Sequence, residues 1–284
     1  MTSDLIKWIQ SFHSDWLDQF FILVTMLGEE YFYIAILGLI YWNINKQTAR
    51  FLVLILALSA TFNGAIKEIV GYSRPIGEEG IRSIYTDTAE GTSFPSGHTQ
   101  NATAFFGSAG LVAKSPLLWI VFSTLIFLVA ISRLYLGVHW PLDVVAGIGF
   151  GVLSILTGKF IYDKCEREGE FWPYFVILVL AVVSVFFLDS SAYIKAVALL
   201  IGYLVGYFFE ENFLQFDVRA PLLTQIIKYT IGLAITGAIF LGLKMVLPTG
   251  VYWDGLRYFL TIFFVMFGAP ALFMVMKLSR HRIF

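Results

Sequence analysis

The stretch SRLYLGVHWPLDVVAG, residues 132–147, joins two apolar segments at 116–137 and 142–162. Each segment has roughly the 20 mostly apolar residues that a membrane-spanning helix needs. Trp140 precedes a proline and is disfavoured in the α region, so the second helix is predicted to begin at Pro141 with Asp143 in its first turn. The stretch therefore predicts a tight connection that holds Arg133, His139 and Asp143 at one end of two spans.

Similar apolar windows recur on both sides of this connection. They lie at 20–42, 49–70, 98–113, 171–189, 194–210, 225–247 and 254–277. With 58% hydrophobic and 14% charged residues, the 284-residue chain lies far from the composition of soluble proteins. The fold class predicted is all-α, a polytopic transmembrane helical bundle of about nine spans.

Three regions are predicted within this bundle. Residues 1–19 place apolar side chains every three or four positions, which favours an amphipathic helix in the membrane interface. Residues 20–163 form a catalytic transmembrane core, and residues 164–284 add further helices to the same membrane domain. The glycine spacing of GIGFG at 147–151 and GYLVG at 202–206 predicts close helix packing.

The charges are nearly balanced, with 19 Lys plus Arg against 20 Asp plus Glu, so no basic field indicates nucleic acid as a partner. Alternating nine spans puts eleven of the 19 cations on the face that holds the carboxyl terminus. The positive-inside rule then predicts a cytoplasmic carboxyl terminus and an extracytoplasmic position for Arg133, His139 and Asp143. The single cysteine, Cys165, excludes an intramolecular disulfide.

A second motif, KEIVGYSRP at 67–75, ends the span before the long polar loop. Lys67 and Arg74 lie two helical turns apart, and Pro75 stops the helix at the interface. Taken alone, both cations fit snorkelling towards lipid headgroups.

A third motif, TSFPSGHTQ at 92–100, closes the loop. Ser96 is predicted to cap the next helix, whose first turn holds Gly97 and His98 and presents unpaired backbone N–H groups that bind anions. A plain interfacial histidine is the alternative for His98.

Together the motifs bring two histidines, three cations, a carboxylate and a helix N-terminus to one membrane face. This set suits cleavage of a phosphate ester, with His139 as nucleophile, Asp143 fixing its tautomer, and His98 as acid and then base. Five groups are predicted to hold the phosphoryl oxygens: Lys67, Arg74, Ser96, Gly97 and Arg133. No metal or other cofactor is predicted, because the cations would repel a divalent ion.

The three motifs resemble the type 2 phosphatidic acid phosphatase superfamily, which includes vanadium haloperoxidases and bacterial acid phosphatases. The match covers Lys67 with Arg74 and Pro75, PSGH at 95–98, and Ser132, Arg133, His139 and Asp143. The resemblance implies that His139 is the nucleophile and His98 the acid. More weakly, residues 25–50 are similar to the sphingosine-phosphate phosphatase and glucose-6-phosphatase branch, although that branch commonly has PSTH in place of PSGH.

The predicted function is hydrolysis of a lipid phosphate monoester or polyprenyl diphosphate in the membrane. Three alternatives stay open: a soluble sugar phosphate as substrate, phosphotransfer to a lipid or sugar acceptor, and a non-enzymatic anion-binding transporter. Spans six to nine are left with two possible tasks, shaping a lipid pocket or forming a homodimer.

Overall fold

The computed structural model describes residues 2–89 and 91–281 of the chain. Arg282, one of the eleven cations in the orientation count, lies outside these residues. Every regular element among the described residues is helical, and one isolated antiparallel bridge joins Phe216 to His281. The all-α prediction is confirmed.

The described residues form twelve α-helices. Their bounds are α1 Thr2–Gln10, α2 Asp15–Thr25, α3 Glu30–Leu39, α4 Lys46–Val70, α5 Gly97–Ala113, α6 Pro116–Tyr135, α7 Pro141–Tyr162, α8 Trp172–Ser184, α9 Ser191–Phe209, α10 Leu222–Val246, α11 Val251–Phe263 and α12 Ala269–Val275. Short 3₁₀ turns cover Met26–Gly28 and Thr86–Thr88. Wider π turns cover Ile40–Ile44, Asp163–Arg167, Glu210–Leu214 and Phe264–Gly268.

All nine predicted spans are helical, but they differ in length. Among the described residues, six helices are long and apolar enough to cross a bilayer: Lys46–Val70, Pro116–Tyr135, Pro141–Arg167, Ser191–Leu214, Leu222–Val246 and Val251–Val275. A seventh is counted when Asp15–Gly28 and Glu30–Ile44, which meet at a 56° bend, form one span. The other two, α5 with 17 residues and α8 with 13, fall short, so nine is an approximate count.

The predicted boundaries of the three regions differ from the helix ends and from the compact units of the structure. The amino end is not one helix over 1–19, because α1 ends at Gln10 and Ser14 caps a new helix at Asp15. The chain also divides into two compact units rather than once near residue 163. Unit 1 holds Met1–Tyr33 with Leu58–Lys159, and unit 2 holds Ile34–Ala57 with Phe160–Phe284.

Each unit uses its predicted glycine motif for close packing. In unit 1, a Cβ added at Gly151 of α7 would lie 2.8 Å from the Gln100 carbonyl oxygen of α5. In unit 2, a Cβ added at Gly206 of α9 would lie 2.6 Å from Met266 Cβ. Glycine at these positions lets the helix backbones approach more closely than any side chain would allow. The packing prediction is confirmed for both motifs.

Candidate active site

The long loop after α4 folds back onto the connection between α6 and α7. The Ser83 hydroxyl donates to the Gly137 carbonyl at 2.9 Å, and the Ile84 N–H donates to the Leu136 carbonyl at 3.1 Å. Gly137 has a φ of +66°, and a Cβ there would lie 2.3 Å from the Arg82 carbonyl oxygen. Only glycine fits this turn. These contacts hold the loop between the second and third motifs against the α6–α7 connection of unit 1.

His139 is held by the carboxylate of Asp143, as predicted. Its Nδ1 lies 3.3 Å from Asp143 Oδ2, which also accepts from the Trp140 N–H at 2.8 Å. The Ser93 hydroxyl donates to the same oxygen through a short hydrogen bond and lies 3.3 Å from Nδ1. Both His139 and Asp143 are buried, at 1% exposure each. Ser93 was not predicted, because a serine in a polar loop carries no signal of its partner 50 residues away.

The other imidazole nitrogen of His139 faces Arg74. Nε2 lies 2.8 Å from Arg74 NH1, which also donates to the Val138 carbonyl at 2.9 Å. With Nδ1 donating to Asp143, the lone pair is on Nε2. Burial, and then the positive charges of Arg74 and Arg133, lower the pKa of His139 well below its usual range. The lowered pKa favours the neutral imidazole at pH 7.

Arg74 keeps its charge in this setting. Burial lowers the pKa of its guanidinium to about 10, and the carboxylate of Asp143 acts in the opposite direction. A pKa near this value leaves the side chain protonated at neutral pH. Its Nε donates to the Gly91 carbonyl at 3.0 Å, so the guanidinium is fixed between the loop and His139.

The amino end of α5 forms the second part of the site. Ser96 caps the helix by accepting from the Thr99 N–H at 3.5 Å, as predicted, and its own N–H donates to the Asp143 carbonyl at 3.0 Å. Gly97 and His98 occupy the first turn. His98 Nε2 is buried without a hydrogen-bond partner among the described residues. That nitrogen and the helix N-terminus can both serve an anion.

The remaining cations, Lys67 and Arg133, differ in how many of their N–H donors have a hydrogen-bond partner. Lys67 Nζ donates to the Thr92 carbonyl at 2.6 Å. Arg133 is fully buried, and its NH1 donates to Thr25 Oγ1 at 2.6 Å. Within the described chain its Nε and NH2 have no partner, which is costly unless a ligand accepts from them. The charge of Arg133 acts on Lys67 and on both histidines, which indicates that these four side chains lie near one another.

A further segment, residues 25–29, completes the site and was not predicted. Beside Thr25, a Cβ at Gly28 would lie only 2.9 Å from His98 Cβ. Glu29 Oε1 accepts from the Tyr85 hydroxyl at 3.0 Å, and its charge acts on Arg133. The segment falls within the weaker resemblance at 25–50, but no spacing there points to chemistry.

The cluster combines an oriented imidazole, a second histidine, cationic N–H donors and a helix N-terminus. Such groups can attack phosphorus, protonate a leaving oxygen and stabilise the negative charge of a phosphoryl transition state. No group of three or more His, Cys, Asp or Glu side chains within residues 2–89 and 91–281 comes together as a metal site. Metal independence stays a prediction.

Two family models match most of the chain. Residues 48–167 match the PAP2 superfamily, and residues 194–281 match the transmembrane extension of PAP2 superfamily phosphatases. All three sequence motifs lie within the first match.

Curated relatives with phosphatase names support the same grouping. Sphingosine-1-phosphate phosphatase 2 of Mus musculus is 32% identical over 54% of this chain and 46% of its own length. Lipid phosphate phosphatase delta of Arabidopsis thaliana is 31% identical over 62% of this chain and 47% of its own. The chain spans less than half the length of these curated relatives. The crystal structure of Aquifex aeolicus LpxE has a TM-score of 0.51 at 24% identity, covering 55% of this chain and 93% of that one, which shows a shared fold.

Proposed function

The chain belongs to the PAP2 superfamily, and from this premise we propose that it is a membrane phosphatase that hydrolyses lipid phosphate monoesters through a phosphohistidine at His139. The observation that carries the proposal is the orientation of His139, whose Nδ1 faces Asp143 and whose Nε2 faces Arg74. A histidine that only filled space would need neither partner. The phosphatase names of the curated relatives support the reaction class.

The first half-reaction forms the phosphoenzyme. His139 Nε2 attacks phosphorus, the bond from phosphorus to the lipid oxygen breaks, and His98 gives its proton to that leaving oxygen. A bound phosphate dianion favours the protonated form of His98, because the opposite charge stabilises it. Asp143 stabilises the imidazolium character that develops on His139.

The second half-reaction returns the enzyme to its starting state. His98, now neutral, takes a proton from water, the hydroxyl attacks phosphorus, and the P–N bond breaks to release inorganic phosphate. Arg74, Arg133 and Lys67 hold the equatorial oxygens in both steps, together with the N–H groups at the start of α5. Arg74 NH1 has to turn from Nε2 to a phosphoryl oxygen before attack, since it faces the lone pair.

The substrate class is proposed as lipid because the site lies at the ends of apolar helices. Pro116–Tyr135 and Pro141–Arg167, which flank the His139 connection, are both apolar enough to span a bilayer. A phosphate at their ends places an attached acyl or prenyl chain in the hydrocarbon region.

The test is phosphate release by purified protein in detergent micelles. Long-chain phosphate monoesters, polyprenyl diphosphates and soluble sugar phosphates are compared with and without chelator. We expect the lipid monoesters to be hydrolysed equally in chelator. Cleavage of the sugar phosphate alone, or loss of activity in chelator, would overturn the proposal, and label appearing on an added alcohol acceptor would indicate phosphotransfer.

The covalent step has its own test. Radiolabelled substrate is mixed with enzyme and quenched in base, because a phosphohistidine survives base and hydrolyses in acid. We expect label on the protein, absent in His139→Ala and retained in His13→Ala, which changes an exposed histidine outside the cluster. Label that persists in His139→Ala would contradict the nucleophile assignment.

The extracytoplasmic position of the site is a further proposal, supported by the positive-inside count. Cys165 is a poor topology probe because its thiol is buried, at 2% exposure. In a Cys165→Ser background, Glu79→Cys in the exposed long loop and Glu168→Cys after α7 give a matched pair. An impermeant maleimide applied to intact cells should label only the first, and the reverse pattern would invert the orientation.

A further inference from the structure

We infer that Glu29 is a charge-balancing residue of the phosphate pocket, whose carboxylate offsets the buried charge of Arg133 and so limits how tightly the phosphate product is held. This inference rests on the proposed phosphatase function. It assigns a task to a side chain outside the three motifs. Glu29 is not placed in contact with the reacting atoms.

The geometry puts Glu29 beside the pocket through its neighbours in the chain. Thr25 Oγ1 accepts from Arg133 NH1 at 2.6 Å, and the backbone at Gly28 lies against His98, where an added Cβ would be 2.9 Å from His98 Cβ. The 3₁₀ turn Met26–Gly28 between them is therefore in contact with both sides of the cluster. Glu29 follows this turn directly.

The two carboxylates of the site divide the cations between them. Asp143 acts electrostatically on Lys67 and Arg74, and Glu29 acts on Arg133. A buried cation without a counter-charge is costly, so each side of the pocket needs an acid. Asp143 also orients His139. For Glu29, the hydrogen bond from Tyr85 and the effect of its charge on Arg133 together support a charge-balancing role.

Tyr85 fixes the carboxylate in this position. Its hydroxyl donates to Glu29 Oε1 at 3.0 Å. Its backbone is left-handed, with φ 56° and ψ 49°, which is uncommon for an aromatic residue and persists only where surrounding contacts hold it. The loop that carries Tyr85 is in turn held by the Ser83 and Ile84 hydrogen bonds to the α6–α7 connection.

A balancing charge has a consequence for turnover that a purely structural role lacks. Inorganic phosphate is the product, and a pocket of three cations with one acid fewer binds a dianion more tightly. Tighter binding of the product slows its release and so lowers kcat. Binding that stabilises the product as much as the transition state does not offset this loss. Glu29 would thus lower the affinity for inorganic phosphate and thereby speed product release.

The experiment measures binding of inorganic phosphate to the purified full chain in detergent, by calorimetry and by thermal shift. We expect Glu29→Gln, which keeps an acceptor for Tyr85 but loses the charge, to bind phosphate about tenfold more tightly than the wild type. Glu29→Asp, which keeps the charge, should bind within about threefold of the wild type. The matched control is Glu79→Gln, which removes an exposed acid of the long loop and should leave affinity unchanged.

Each other result counts against the inference. Unchanged or weaker phosphate binding in Glu29→Gln would mean that Glu29 orients Arg133 or only supports the fold. If Glu29→Gln does not fold in ordinary buffer, purification in phosphate should recover it, because the anion supplies the missing charge; failure there also overturns the inference. A wild type that does not bind phosphate overturns the pocket itself, whereas wild-type binding without hydrolysis refutes only the proposed activity.

Discussion

Each unit buries a cluster of charged side chains, and the two clusters differ in how their cations are satisfied. In unit 1, Arg133 leaves Nε and NH2 without partners among the described residues, and His98 Nε2 has none either. In unit 2, Lys46 and Arg50 are paired with Glu210, at 2.7 and 2.6 Å. The first cluster therefore leaves N–H donors and positive charge for a ligand, whereas the cations of the second cluster are paired with acids of the protein itself.

The unit 2 cluster is built as an internal ion pair. Glu210 is fully buried, and its Oε1 also accepts from the Phe216 N–H at 3.1 Å. Arg50 makes a second, short contact with Glu211 and lies 4.5 Å from the centre of the Tyr207 ring. Of the three guanidinium nitrogens of Arg50, one, Nε, is buried without a partner among the described residues. Buried charges persist when they are paired in this way, so we expect a role in stability.

The largest effect we predict is in unit 1. His139→Ala should lower kcat by about 10⁴-fold or more, the scale seen when a covalent nucleophile is removed. Binding of inorganic phosphate should change little, because the cations and the start of α5 remain. Phosphate release and calorimetry on the same preparation check both expectations. Turnover within tenfold of the wild type would contradict the assignment of His139 as the nucleophile.

The corresponding change in unit 2 should act on stability. Glu210→Gln leaves Lys46 buried without its counter-charge and removes the fully buried acid paired with Arg50, which keeps only its contact with the exposed Glu211 and a longer one with Glu166. We therefore expect the free energy of unfolding to fall by about 3–5 kcal/mol. Activity per folded molecule should be unchanged. Denaturant unfolding in detergent micelles measures the loss.

The matched control for Glu210→Gln is Lys164→Ala, which breaks an exposed pair at 2.6 Å with Glu168. Exposed pairs contribute less than about 1 kcal/mol. Equal destabilisation by the two variants would mean that burial does not separate the clusters.

Ser93→Ala tests how finely the histidine is held. The serine hydroxyl donates to Asp143 and lies beside His139 Nδ1, so its removal should lower kcat by roughly 10- to 100-fold, as expected for one hydrogen bond to a charged group. KM should stay nearly constant, because Ser93 is not placed among the phosphate-binding groups. Ser93→Thr, which keeps the hydroxyl, should recover part of the rate, and a change in KM alone would contradict a positioning role.

The smallest effect we predict is a displacement of the pH profile. The pKa of His139 is lowered, so its neutral form persists as pH falls below the usual value of 6.5. The acid limb of kcat/KM, corrected for the second ionisation of the substrate, should therefore lie below pH 6.5. Arg74→Gln removes one of the charges that lower this pKa and should move the limb upward by about one pH unit. An acid limb at pH 6.5 or above in the wild type would show that burial and the nearby cations do not lower the pKa of His139.

Much of the fold follows from the sequence because its signals are local. Apolar length predicts the helices, Pro141 and Ser96 predict where two of them begin, and the glycines at 151 and 206 predict close packing. The span count was less secure, since α5 and α8 are apolar but short. The buried ion pair of Glu210 with Lys46 and Arg50 could not be predicted from the sequence, because the partners lie more than 150 positions apart.

The sequence by itself determined which side chains stand at the ends of neighbouring helices, because helical periodicity and proline rules act within a few residues. It therefore supplied Lys67, Arg74, Ser96, Gly97, His98, Arg133, His139 and Asp143. Only the tertiary structure decided what surrounds them. Ser93 reaches Asp143 across 50 residues, Tyr85 reaches Glu29 across 56, and Thr25 reaches Arg133 across 108. Such contacts depend on how the loops return over the helix ends, which no local pattern encodes.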